Sequence, residues 1–234
     1  MKLVVSSKLN KNTIDINNYK KKELTSNTSV NLFISSSINS KKDIILSFKK
    51  IRSIKKYTDK KNIVIKNIYV FDNPLIDELR AVIMALDIDD IEKRYRFIYD
   101  YVCSFLDNEF KAKNICDFKN GICISRRNFK KDPKNYPLIY GCCFTNGRVC
   151  PNLINYSCSI KCLSCKLFTC RYLTKKHIKY RINDILLLKL FFNLRQKGVI
   201  SNQLFTDEDE FIEILIKKES HFFNETLFNC EWVW

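Results

Sequence analysis

The 234-residue chain is 46% hydrophobic and carries a formal net charge of +16 at pH 7, which excludes a mainly disordered chain and leaves room for one or two packed domains. No apolar run approaches the ~20 residues that cross a bilayer, and the opening Met1-Lys2-Leu3-Val4-Val5 is too short for a secretory leader. A cytoplasmic location without a membrane partner is therefore expected, and because thiols stay reduced there, the 11 cysteines point away from disulfides.

In chain order, residues 1–75 read as a small basic α/β region. Val30 to Ser35 and Ile63 to Phe71 are β-branched and aromatic runs that predict strands. Between them, Ser40 to Tyr57 predicts a helix. Ser40 and Asp43 have capping-box spacing, and Ile44, Phe48 and Ile51 recur at helical intervals. Residues 6–29, rich in Ser, Asn and Lys, predict irregular chain. Residues 76–115 form a helical connector. Pro74 suits the first turn of a helix reaching about Leu86. A second helix runs from about Asp89 to Phe110, with Ile91, Tyr95, Ile98, Val102 and Phe105 as its apolar stripe. Cys103 flanks that stripe and reads as a core residue.

Residues 116–181 change character. Helical periodicity fades, and Gly121, Gly141, Gly147, Pro133, Pro137 and Pro151 punctuate turns. This predicts a loop-rich, cysteine-rich module whose order must come from cross-links or metal. Residues 182–234 supply two helices, Asn183 to Leu194 and about Asp207 to Lys218. The second has an acidic first turn and Lys217-Lys218 at its end, matching the helix dipole. An aromatic tail from His221 to Trp234 follows. The expected class is α+β, with the small α/β region, central helices, the Cys module and C-terminal helices in that order.

Nine cysteines fall in the module: Cys116, Cys123, Cys142, Cys143, Cys150, Cys158, Cys162, Cys165 and Cys170. All nine are candidate metal ligands. If residues 158–165 are helical, about 100° per residue puts the sulfurs of Cys158, Cys162 and Cys165 within an arc of roughly 60°; a tight loop converges them equally well. A fourth thiolate is available from Cys142, Cys143, Cys150 or Cys170. Four-cysteine ligation without histidine suits zinc and an iron–sulfur cluster alike. Residues 111–181 also hold 16 Lys or Arg against two Asp or Glu, and nearby cations stabilise thiolates. A structural or redox role follows for the metal.

The C-x3-C-x2-C spacing of Cys158, Cys162 and Cys165 resembles the cluster-binding signature of radical S-adenosylmethionine enzymes, which implies an iron–sulfur-dependent reaction. The chain departs from that pattern at Ser164, where the family carries an aromatic residue, and no glycine-rich segment follows. Gly141-Cys142-Cys143, then Cys150-Pro-Asn-Leu and the cysteines up to Cys170, resemble the CxxCxxCC-type family of zinc- or iron-chelating bacterial proteins. The leading C-x2-C part of its motif is missing. The stretch from Tyr95 to about Lys218 also resembles a family of cysteine-rich proteins of low-GC bacteria. That likeness rests on Tyr99-Asp-Tyr-Val-Cys103, Cys116-Asp-Phe-Lys, Gly141-Cys-Cys and Cys162-Leu-Ser-Cys-Lys-Leu-Phe-Thr-Cys170. These resemblances imply metal ligation.

The alternative is a zinc-stabilised nucleic-acid-binding protein. Arg126-Arg127-Asn-Phe129-Lys130-Lys131 and Lys175-Lys176-His177 mix cations with aromatic rings, including Tyr136, Tyr140, Tyr172 and Tyr180, a composition suited to phosphate contact and base stacking. The competing reading is a solvated rim around metal loops. The first glycine is Gly121, so the N-terminal region holds no phosphate-cradling loop. An enzymatic role is left open.

Overall fold

The computed structural model describes residues 1–6, 13–20, 28–135, 144–145, 148–149, 153–154, 157–158 and 161–219. The chain is of mixed α+β class and divides into two compact units, Met1–Asp90 and Ile91–Trp234. Among the described residues, no helix is long and apolar enough to cross a membrane.

The first unit is built on four parallel strands: β1 (Lys2–Val5), β2 (Thr13–Asp15), β3 (Ser29–Ile34) and β4 (Val64–Val70), in the order β1-β4-β3-β2. Parallel neighbours need long crossovers, and α1 (Lys41–Lys60) supplies the one from β3 to β4. It starts where the sequence predicts. The Ser40 side chain accepts from the Asp43 N–H, and the Asp43 carboxylate accepts from the Ser40 N–H at 2.9 Å. Ile44, Phe48, Ile51 and Ile54 of α1 are buried, as are Leu32 and Ile34 of β3 and Ile68 and Val70 of β4. Helix α2 (Ile76–Asp87) adds Leu79, Val82, Ile83 and Leu86 to the core.

Strand β2 corrects the expectation of irregular chain over residues 6–29. It is three residues long and exists by pairing with β3, Ile14 beside Leu32. The turn after it is fixed by Asp15, whose carboxylate accepts from Ser35 Oγ at 2.8 Å and from the Asn17 N–H at 3.0 Å.

The second unit is organised on α3 (Ile91–Lys113), a 23-residue helix, about 34 Å long at 1.5 Å per residue. Its buried residues are Tyr95, Ile98, Tyr99, Val102, Cys103 and Leu106. Cys103 is fully buried, as expected of a core residue, whereas Phe105 is 44% exposed. The stripe is rotated relative to the expected one, because Tyr99, Cys103 and Leu106 take the inner face at i, i+4, i+7 spacing.

After α3 come α4 (Ile124–Lys131), two short hairpins, β5–β6 (Phe144–Thr145 with Arg148–Val149) and β7–β8 (Leu153–Ile154 with Ser157–Cys158), then α5 (Leu163–Leu167) and α6 (Arg171–Lys175). A single 3-10 turn at Ile182–Asp184 leads to α7 (Leu186–Phe191), α8 (Leu194–Asn202) and α9 (Glu208–Lys217). The single helix expected over 183–194 is broken at Asn193. Its backbone is extended (ψ 175°), and its side chain caps α8 by accepting from the Gln196 N–H at 2.9 Å. Helix α9 begins as expected at Asp207, which caps it through the Glu210 N–H at 3.0 Å. Helices α5, α7 and α9 all pack on α3.

Candidate metal centre

Cys162 and Cys165 sit at the start of α5, Cys162 in the N-cap position and Cys165 in the first turn. Both are buried, at 0% and 7% exposure. The two side chains lie within hydrogen-bonding reach of each other. A sulfur neighbour that can share its proton favours the Cys162 thiolate, and so do the backbone N–H groups of Cys165, Thr206 and Phe205. Together they overcome burial and lower the thiol from the ordinary 9.0 to about 6.

Two distant segments close over the pair. The turn between α8 and α9 contributes the Phe205 N–H, which donates to Cys165 Sγ at 3.3 Å, and the Gln203 carbonyl, 3.7 Å from Cys162 Sγ. Phe205 reaches this position in the left-handed region, at φ 61°. Helix α3 contributes Tyr99, whose hydroxyl accepts from the Leu163 N–H at 3.3 Å, and Cys103, whose thiol donates to the Lys161 carbonyl at 2.9 Å. Burial, with the Cys103 and Cys162 sulfurs nearby, pushes the Tyr99 phenol well above its ordinary range. Burial likewise raises the Cys103 thiol, so Cys103 stays protonated.

Two polar groups lie on the same short helix. Lys166 pairs with Asp107 of α3, with the lysine side chain only 2% exposed. Ser164, between the two cysteines, is buried, and its hydroxyl has no hydrogen-bond partner among the described residues. Leaving such a group unpaired costs about 1–3 kcal/mol.

The other expected ligands are distributed as follows. Cys158 lies on β8, so Cys158, Cys162 and Cys165 do not share one helix. Cys142, Cys143 and Cys150 lie outside the described residues, as does the aromatic tail. Cys123 is the N-cap residue of α4 and is buried; Cys170 is the N-cap residue of α6 and is half-buried. The Cys116 carbonyl accepts from the Ile124 N–H at 3.1 Å, and Cys170 Sγ lies 3.3 Å from Ser125 Oγ. Cys116 thus touches the start of α4 through its backbone and Cys170 through its side chain. Among the described residues, no three His, Cys, Asp or Glu side chains form a metal-ligand group.

Of the basic residues singled out in the sequence, Arg127 is tied to Asp117 at 2.9 Å and to the Ile122 carbonyl at 3.2 Å. Arg126 is half-buried, and Lys130, Lys131, Lys175 and Lys176 are exposed. Sequence reasoning gave no site role to Tyr99, Lys166, Ser164 or the turn at 203–206. Only Tyr99 left a signal, one helical turn before Cys103. No protein-family model, curated protein or solved structure matches the chain.

Proposed function

We propose that this is a metal-binding protein in which Cys162 and Cys165 hold zinc or one edge of an iron–sulfur cluster. A third thiolate is assigned to Cys158 and a fourth to one of Cys142, Cys143, Cys150 or Cys170, completing four-cysteine ligation. The observation that carries the reading is the Cys162–Cys165 pair itself: two adjacent sulfurs, one with a depressed pKa, with backbone N–H groups directed at both. Metal ligation requires thiolates, and N–H donors to sulfur tune cluster sites. Ser164 Oγ fits the same picture, since an anionic group bound beside it would relieve its missing hydrogen bond.

A C-x2-C pair at a helix start also suits thiol–disulfide exchange. That chemistry needs an accessible attacking sulfur, and burial at 0% and 7% opposes it. A reducing, cytoplasmic setting accompanies the proposal, because ligation by cysteine needs thiols that are not oxidised. The test is anaerobic purification with zinc, iron and acid-labile sulfide analysis, repeated on Cys162→Ala and Cys165→Ala. Bound metal that falls in both variants is the expected result. Protein that is folded with neither metal bound, and takes up neither on reconstitution, refutes the reading.

One observation favours nucleic acid as a partner. The Ser125–Cys170 contact, at 3.3 Å, brings together the starts of α4 and α6, two basic helices that are distant in sequence.

A further inference from the structure

The positive charge of residues 111–181 is partly paired with carboxylates and partly not. Lys113 pairs with Glu109, Lys161 with Asp100 at 3.2 Å and Lys166 with Asp107. The segment's own two acids are engaged locally. Asp117 holds Arg127, and Asp132 accepts from the Asn135 N–H and side-chain amide at 3.1 and 2.7 Å. Lys130 and Lys131 close α4 and Lys175 closes α6, with Lys134, Lys176 and Lys179 just beyond them. All six are exposed. Among the described residues, none of the six forms an ion pair with a carboxylate. The 3.3 Å contact between Ser125 and Cys170, 45 residues apart in sequence, fixes the starts of the two helices against each other.

We infer that this α4–α6 face binds single-stranded nucleic acid through its phosphates. The inference rests on the nucleic-acid reading above and gives it a site and a substrate class. Exposed ammonium groups outside any ion pair concentrate positive potential, which a polyanion relieves with release of its own counterions; of the six, Lys176 is also drawn to Tyr172 and, more weakly, to Asp117. The face also carries rings. Tyr172 is half-buried with Lys176 Nζ 4.9 Å from its centroid, and Phe129 is half-buried on α4. A ring set beside cations is a stacking platform for unpaired bases. Groove reading in a duplex calls for a helix laid along the major groove. Here α4 has eight residues and α6 five, about 12 and 8 Å, and α6 ends in a left-handed turn at His177 (φ 58°). Neither is suited to that role.

If Lys130, Lys131, Lys175 and Lys176 each neutralise one phosphate, the slope of log K against log salt is about −2.8. Affinity then falls about 50-fold between 50 and 200 mM salt. The test uses the full chain purified anaerobically with its metal. Its binding is measured by fluorescence anisotropy to single strands of RNA and of DNA about 20 nucleotides long and to the matching duplexes, and by flotation with phosphatidylserine vesicles. Metal content is read separately on each variant, so failure of the metal reading is distinguishable. Single strands of either sugar are expected to bind more tightly than duplexes. In Lys130→Ala/Lys175→Ala the slope is expected to flatten to about −1.4, while Lys42→Ala/Lys49→Ala on α1 leaves it unchanged. No binding to any nucleic acid at 50 mM salt overturns both the nucleic-acid reading and the site. Single-strand binding that is unaltered in the α4–α6 variant, or a preference for duplex or vesicles, overturns the site inference alone.

Discussion

Replacing Gln196 with methionine keeps the length of the side chain and removes its amide. In the native structure the residue is 1% exposed, and its amide makes three bonds. Oε1 accepts from the Asn193 N–H at 3.0 Å. Nε2 donates to the Tyr95 hydroxyl at 2.8 Å and to the Leu215 carbonyl at 3.0 Å. One buried amide therefore ties together α3, the cap of α8 and the body of α9. Three bonds at about 1 kcal/mol each, plus buried partners left unpaired, give an expected loss of about 3–5 kcal/mol for Gln196→Met. Tyr95→Phe removes only one of the bonds and should cost about 1 kcal/mol. The assay is urea unfolding at neutral pH followed by circular dichroism, with both variants analysed by linear extrapolation. A Gln196→Met protein within about 0.5 kcal/mol of the parent, the range of an ordinary surface change, refutes the reasoning. So does a Tyr95→Phe protein that loses as much as Gln196→Met. Since α8 and α9 carry the turn that places the Phe205 N–H on Cys165, the methionine variant should also bind metal less tightly.

Ser40→Ala removes the cap and half the capping box of α1 and should cost about 1 kcal/mol, read in the same unfolding experiment. Ser164→Ala removes a hydroxyl that is buried without a partner among the described residues. It should leave the metal-free protein as stable or about 1 kcal/mol more stable, with a smaller gain once metal is bound; thermal unfolding with and without chelator measures both. Burial raises the Tyr95 phenol from its ordinary 10.0 to about 12. A raised acid keeps its stabilising effect below the unfolded value and loses it as pH climbs through the folded one. Stability should therefore fall between about pH 10 and 12, and Tyr95→Phe should flatten that part of the pH profile.

The parts of this fold that are legible in the sequence are those specified by neighbours a few residues away. Ser40 with Asp43, and Asp207 with the acids after it, announce helix starts because both partners lie within one turn. Strand β2 is not legible, since Thr13, Ile14 and Asp15 become a strand only by pairing with Asn31, Leu32 and Phe33. Gln196 is invisible for a related reason. A lone glutamine reads as surface until Tyr95, 101 residues away, is seen to accept its proton. At the site, the C-x2-C spacing marks Cys162 and Cys165 as a pair, and the Cys165 side chain does most to lower the Cys162 thiol, but the N–H groups of Thr206 and Phe205 that add to it come from a remote turn, and backbone groups leave no residue-type signature. Of the two arrangements the spacing allows for Cys158, Cys162 and Cys165, the single helix is excluded because β8 pairs with β7 and takes Cys158 into a hairpin.

The separation between the sulfur pair and its cover also bears on biosynthesis. Phe205 lies 40 residues after Cys165. At about 5–20 residues per second, a ribosome needs about 2–8 seconds to add that stretch. During that interval Tyr99 and Cys103 are already made, while the sulfurs lack the N–H groups that later shield them. The nascent chain therefore presents two uncovered thiols to oxidants and to metal carriers before the lid of backbone arrives. That interval is when the two thiols are most open to reaction.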